Sequence, residues 1–206
     1  MRVVFQGAVV RLESSGYSRA QSALGRAFFN YNLMRYAAAD DARRAPAVNL
    51  LYNAMLWDAF RWGEVYVPAG GFAAAAWLPP PYAYPTFLRQ VRSGMIKLPL
   101  RFGLGGFTKL LAYDGIAHKL HHRHAPMPHW YLLAIGVEPE HQGQGVAGAI
   151  MRPILERADD QHVPCYLETH EEKNVRIYQR HGFEIAERAE VPGHPIPVWA
   201  MLRAAR

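Results

Sequence analysis

A glycine-spaced turn, His141-Gln142-Gly143-Gln144-Gly145-Val146-Ala147-Gly148, separates two stretches of different hydrophobic period. Before it, residues 130–137 (Trp-Tyr-Leu-Leu-Ala-Ile-Gly-Val) form an apolar run of strand length. After it, residues 149–158 read as a helix. The glycines and Pro139 mark the change of period. Glycine lets backbone approach backbone or ligand with no Cβ in the way. A helix starting at Gly145 leaves its first N–H groups unpaired, and these, with the positive end of the helix dipole, suit a phosphate or pyrophosphate. The glycine spacing is not Gly-x-Gly-x-x-Gly, and no Gly-Lys-Ser/Thr follows. Alone, the turn fits a tight connection without a ligand as well as it fits an anion site.

The downstream sequence narrows the choice. Leu167-Glu168-Thr169 ends a short strand, and Asn174-x-x-x-Tyr178-x-x-x-Gly182-Phe183 follows. With Gln142-x-x-Gly145-x-Ala147, these motifs resemble the GCN5-related N-acetyltransferase (GNAT) superfamily. Trp130-Tyr131-Leu132-x-x-x-Gly136-Val137, His141-Gln142-Gly143, Pro153 and Val163-Pro164 are similar to its puromycin N-acetyltransferase branch. Residues 1–125 match loosely, chiefly at 74–79. The resemblance implies an α/β (α+β) fold, with a mixed central sheet of about six to seven strands flanked by helices. The sheet is splayed between strands 130–137 and 164–168. One domain is expected over residues 1–206, with a helical insertion around 84–124. The resemblance also implies acetyl-CoA as cosubstrate. Its pyrophosphate would lie on Gln142, Gly143, Gln144, Gly145, Val146 and Ala147. Its pantetheine arm would lie against the backbone of Ile135, Gly136 and Val137, with Asn174 hydrogen-bonding it and the Val137 N–H polarising the thioester carbonyl.

Glu168, at a strand end on the same face as Tyr166, reads as a general base for the attacking amine or as a structural carboxylate. Tyr178 shares a helix face with Asn174. A phenol near pKa ~10 suits protonation of a thiolate whose parent pKa is ~8.5; a Tyr merely packed on the sheet is the alternative. Asn174 equally reads as a helix cap. Cys165, the one cysteine, is a poor nucleophile in mid-strand with no His in its local motif. The expected reaction is direct transfer of acetyl to a primary amine of a small molecule. A non-catalytic CoA-binding sensor and a peptide or protein acceptor stay open.

Earlier in the chain, residues 7–12 suit a first strand and Ser18 a helix cap. Ala20, Leu24, Ala27, Phe28 and Tyr31 recur at helical spacing, and a second helix fits residues 47–62. The aromatics of these helices read mostly as core, with some free to wall an acceptor pocket. Residues 64–68 and 72–78 suit a hairpin, whose run of alanines implies a close neighbour. Two helices are expected in 86–120, around a Gly-rich stretch over residues 98–107. Within 130–137, odd- and even-numbered residues should occupy opposite faces, with a bulge or close approach at Gly136. Pro153 predicts a kink near residues 149–151. His118, His121, His122, His124 and His129 match no strong zinc spacing, so no metal is expected.

The 206 residues, 50% hydrophobic and 19% charged, exclude disorder. The net charge is +6, but basic residues are scattered, which favours a solvated surface over nucleic-acid binding. Residues 1–10 lack a signal-peptide layout and no apolar run reaches membrane length. A cytoplasmic protein, monomer or homodimer, binding neither membrane nor nucleic acid, is the expectation.

Overall fold

Four consecutive alanines, Ala73, Ala74, Ala75 and Ala76, all fully buried, let helices approach the middle of the sheet from both faces. The computed structural model describes residues 5–205; part of the expectation for residues 1–10 therefore lies outside the described residues. The strands are β1 (Val9–Arg11), β2 (Glu64–Pro68), β3 (Ala73–Leu78), β4 (Trp130–Val137), β5 (Cys165–Thr169), β6 (Glu184–Glu190) and β7 (Pro197–Arg203). They form one seven-stranded sheet in the order β1-β2-β3-β4-β5-β7-β6. Only β4 and β5 pair in parallel, so the sheet is mixed, as expected.

The helices are α1 (Tyr17–Phe29), α2 (Asn32–Ala37), α3 (Asp41–Trp62), α4 (Phe87–Arg92), α5 (Leu98–His124), α6 (Val146–Asp160) and α7 (Glu172–Gln179). Side chains of α1, α2, α3 and α5 join Val65, Ala74, Ala134, Tyr166 and Ala200 in one core. Side chains of α6 and α7 join Trp77, Leu132, Leu167 and Met201 in the other. Burying each large side chain of these cores contributes roughly 1.5–3 kcal/mol.

Several sequence expectations are corrected. Gly16, not Ser18, caps α1, and Tyr31 lies beyond its end as the residue before α2. The second helix starts at Asp41 rather than 47, because the Asp40 carboxylate accepts the N–H groups of Ala42 and Arg43. Pro46 falls within the first two turns. Of the early aromatics, Tyr52 is buried and Phe28, Tyr31, Tyr36 and Trp62 pack partly buried against the same core, as expected, whereas Phe60 is exposed. Residues 98–124 do not divide at 107. They run on as α5, broken only at Gly103, whose φ of 71° is not helical. The helix after the glycine turn spans Val146–Asp160 and continues through Pro153.

The strand bulge lies at Leu133, not Gly136. Ala76 faces Ala134 and Trp77 faces Leu132, so Leu133 has no partner of its own on β3. The extra residue flips the alternation. Tyr131 and Leu133 pack on the α5 face, whereas Ile135 and Val137 pack on the α6 face. At Gly136 the structure shows the close approach that was the other expectation. A Cβ there would lie 2.9 Å from the Ala27 Cβ and 3.0 Å from the Leu24 Cδ2, so the glycine lets α1 sit on β4.

Candidate active site

β4 and β5 separate almost as soon as they meet. Their ladder holds two residue pairs, Trp130 with Cys165 and Tyr131 with Tyr166. Beyond them β4 pairs only with β3 and β5 only with β7, which opens a wedge between the two strands. The Glu138 N–H donates to the Phe72 carbonyl at 3.0 Å, and Gly136 stands opposite Ala74. Alternate residues of a strand turn their N–H and C=O groups to opposite sides. Gly136 therefore spends its backbone on β3, contrary to the sequence expectation. Ile135 and Val137 turn theirs toward the wedge.

The glycine turn ends beside the same opening. Gly143 and Gly145 have φ of 75° and 78°, conformations that L side chains rarely adopt. A Cβ on Gly143 would meet nothing within 4 Å. Gly145 is the residue before α6, which has no side-chain cap, and the helix's first internal bond joins the Ala149 N–H to the Gly145 carbonyl. The N–H groups of Val146, Ala147 and Gly148 thus precede any intrahelical acceptor. Two glutamine side chains brace the turn: Gln142 Nε2 donates to the Val137 carbonyl at 3.0 Å, and Gln144 Nε2 to the Glu140 carbonyl at 3.1 Å. Open amides at a helix N-terminus fit a diphosphate. An unpaired strand edge at the wedge fits an extended, amide-bearing arm. The residues present therefore fit acetyl-CoA.

Glu168 sits near the end of β5 with its side chain only 7% exposed. Burial raises its carboxyl from 4.5 to about 8, against the lowering effect of the Tyr131 hydroxyl, which donates to Oε2 at 2.8 Å. The fully buried Tyr166 hydroxyl lies beside the same carboxyl without reaching hydrogen-bond geometry. Cys165 is buried with its thiol pushed up to about 12 by desolvation, in keeping with its reading as no nucleophile.

Tyr178 projects from α7 into the opposite core, with its ring edge on Phe183. Burial raises its phenol well above the ordinary value, and the nearby Tyr31 raises it further. Among the described residues its hydroxyl has no hydrogen-bond partner. Glu168 and Tyr178 thus belong to opposite faces of the sheet, and the wedge is where those faces communicate. Asn174 does not cap α7. Glu171 holds that place, while Asn174 Nδ2 donates to Thr169 Oγ1 at 3.4 Å. Tyr31 pins this corner, 3.3 Å from Thr169 Oγ1 and accepting the His170 N–H at 3.0 Å.

Beyond the end of β5, Tyr31 and Tyr36 are among the early-helix aromatics that the sequence leaves free to wall a pocket, whereas it does not single out Tyr113 and His170. Tyr31 and Tyr113 both pack on His170, and Tyr36 and Tyr113 both meet His194. The Ile196 N–H donates to the Tyr113 hydroxyl at 3.1 Å and ties down the loop that carries His194. The buried Nδ1 atoms of His170 and His194 lack partners among the described residues. Burial lowers His170 to about 4, so its ring is neutral. Asp114 on α5 is open to solvent yet ringed by protein, which raises its carboxyl. These residues converge from four separate segments, and no local pattern marks them. Among the described residues no three His, Cys, Asp or Glu side chains are grouped to hold a metal ion, and no helix is long and apolar enough to cross a membrane.

Comparison with known proteins gives the same architecture. The family model for the acetyltransferase (GNAT) domain matches residues 105–185. An uncharacterized N-acetyltransferase of Schizosaccharomyces pombe is 26% identical over 185 residues, covering 85% of this chain and 74% of the relative. A solved structure described as histone acetyltransferase HPA2 and related acetyltransferase, from Corynebacterium glutamicum, superposes with a TM-score of 0.69 at 18% identity, covering 98% of both chains. Arylalkylamine N-acetyltransferase 2 of Aedes aegypti gives 0.59 at 11% identity, covering 98% of this chain and all of the other. At such identities the structures speak for the fold alone. They do not resolve the puromycin branch. Domain match, relative and fold agree with the motifs read from the sequence: the chain has the fold of the GNAT acetyltransferases, and its residues 105–185 match their domain model.

Proposed function

We propose that the protein, acting as one acetyltransferase domain, moves the acetyl group of acetyl-CoA to the primary amine of a small molecule bearing an aromatic ring. The observation that carries this is the buried carboxyl of Glu168, raised to about 8, beside a wedge whose other face holds a protonated phenol. A base poised near neutral pH takes a proton effectively without being permanently blocked by one. The acetyl thioester supplies the electrophile. The amides of Val146, Ala147 and Gly148 hold the diphosphate, and Ile135 and Val137 hold the arm by backbone. The Val137 N–H faces the thioester oxygen and stabilises charge as it develops. Asn174, through Thr169, fixes the corner where the arm passes.

The amine's nitrogen attacks the thioester carbonyl directly. Its N–H bond breaks as Glu168 takes the proton, the C–S bond breaks, and Tyr178 donates its phenolic proton to the departing sulfur. Burial keeps Tyr178 protonated at working pH and also makes it a weaker acid, so it gives up its proton only as charge builds on the departing sulfur. The aromatic group rests among Tyr36, Tyr113, His170 and His194, whose free ring nitrogens accept or donate to a polar substituent. Asp114 attracts the cationic form of the amine. The arylalkylamine substrates named for a structural neighbour of the same fold are in keeping with this choice.

The test is thioester consumption with a panel of arylalkyl, polyamine and peptide amines. Arylalkylamines should be acetylated fastest. Tyr178→Phe should lower kcat by about 10²-fold or more with the KM for acetyl-CoA little changed. Preference for a peptide amine would overturn the acceptor, and full activity in the Phe variant would overturn the acid.

A further inference from the structure

His121, near the end of α5, and His129, just before β4, face each other with their Nε2 atoms 2.7 Å apart. Both are buried, at 4% and 1% exposure. The His129 Nδ1 lies 2.7 Å from the Met127 carbonyl oxygen. A carbonyl only accepts, so that nitrogen carries the proton. Burial lowers both histidines, His121 to about 3, so each ring holds a single proton at neutral pH. His129 then offers a bare Nε2, and the bond between the rings requires the proton on His121 Nε2. This leaves His121 Nδ1 bare, and that atom faces Glu168 Oε1 at 3.9 Å. One carbonyl thus fixes an ordered chain of tautomers that ends on a carboxyl group.

The two oxygens of Glu168 are distinguished by this arrangement. Oε2 accepts the Tyr131 hydroxyl. Oε1 faces a lone pair, which repels a carboxylate but accepts an O–H. We infer that His121 and His129 are positioning residues for Glu168: His129 locks His121 in the tautomer whose bare Nδ1 receives the Glu168 O–H once that carboxylate has taken the acceptor's proton. The N–H bond of the amine breaks, the O–H bond forms on Oε1, and a small rotation closes the 3.9 Å separation into a hydrogen bond. The pair therefore favours the protonated carboxyl and keeps the carboxylate basic. The inference rests on Glu168 serving as base.

The other titratable groups around this chain are Asp114, His118 and His122 on α5, Tyr84 before α4, Tyr131 on β4 and Tyr166 on β5. Tyr84, Tyr131 and Tyr166 pack against the His121 ring, and the Tyr84 hydroxyl is committed to the Ala125 carbonyl at 2.6 Å. Among the described residues only His129 hydrogen-bonds the His121 ring.

The experiment titrates the Glu168 carboxyl carbon by NMR in the full chain without substrate, for wild type, His129→Leu and His129→Gln, beside the pH profile of kcat/KM. His129→Leu frees His121 to move its proton to Nδ1 and donate to the carboxylate. The Glu168 midpoint and the acidic limb should then fall by about one pH unit. His129→Gln, whose amide oxygen still accepts from His121 Nε2, should hold both near wild type. Unshifted midpoints in both variants, or equal shifts, would overturn the lock. If the Leu variant does not fold, ring-nitrogen shifts of wild-type His121 decide: a proton on Nε2 upholds the lock and one on Nδ1 overturns it. Loss of the base role would show separately, as wild-type acetyl transfer that Glu168→Gln leaves unchanged, while the titration still reads the lock.

Discussion

Glu168 keeps its proton to higher pH than an exposed carboxyl because the fold removes water from it and supplies only one firm donor, Tyr131. The consequence for stability has a definite sign. The unfolded chain releases this proton near 4.5 and the folded chain near 8, so between those values the folded state holds one more proton. Stability contributed at this site is therefore full below pH 4.5, declines as pH rises through the window, and levels off above about 8. Buried histidines act oppositely below pH 6.5, so the clean range is pH 6.5 to 8.5. Urea midpoints for wild type and Glu168→Gln should diverge across that range, with the Gln variant gaining as pH rises. Parallel midpoints would mean that the carboxyl is not held protonated by the fold. The candidacy of Glu168 and Tyr178 was legible because each lies in a short motif, Leu-Glu-Thr or Asn-x-x-x-Tyr. His121, His129, Tyr113 and His194 were not so legible, because their meaning lies in contacts between segments far apart in the chain.

Elements carry these residues to the site, and the insertion hangs on one buried ion pair. Arg89 on α4 reaches both oxygens of Asp58 on α3 at 2.9 and 2.6 Å, and also donates to the Tyr82 carbonyl at 3.0 Å. Trp62 and Tyr82 cover the guanidinium. Removing one partner strands a buried charge, which costs about 3–5 kcal/mol, whereas replacing both with apolar side chains costs far less. Asp58→Ala should accordingly lower the unfolding free energy by about that amount, and Asp58→Leu with Arg89→Met should recover most of it in chemical denaturation. Equal losses in the two variants would show that packing, not charge, holds α4. The same element scale shows where sequence reading stopped. Periodicity found β2 and β3 because apolar residues and turn residues agree there. It divided α5, because Gly103, Gly105 and Gly106 look like a break, and Gly103 alone breaks it. Gly106 instead lets α5 pass close to α2: a Cβ there would stand 2.3 Å from the Ala37 carbonyl oxygen. The bulge at Leu133 was invisible because leucine suits either a bulge or a regular strand; only the register against β3 exposes it.

At the scale of the molecule, the wedge is a place where a continuous sheet lacks its own continuity. Among the described residues only two residue pairs join the β1–β4 half of the sheet to the β5–β7 half, and beyond them the wedge side of β4 pairs with no strand, its Val137 carbonyl being taken by Gln142 Nε2. An extended ligand whose amides pair with Val137 and Ile135, and whose diphosphate rests on α6, would supply bonds that the protein leaves unmade. Binding should therefore stabilise the whole fold rather than one loop. At a concentration near 100 times Kd the gain is about 2.7 kcal/mol, and for a chain of this size each kcal/mol moves Tm by roughly 2–4 °C. Acetyl-CoA should accordingly raise Tm by about 5–10 °C. Amide exchange should slow at Val137 and at Val146, Ala147 and Gly148, the groups turned toward the ligand. Gly145→Ala should weaken the effect, because its φ of 78° strains any side chain and tilts the helix amides away from the diphosphate. An unchanged Tm at saturating acetyl-CoA, or protection confined to the aromatic residues beyond β5, would place the coenzyme elsewhere and leave the wedge without an occupant.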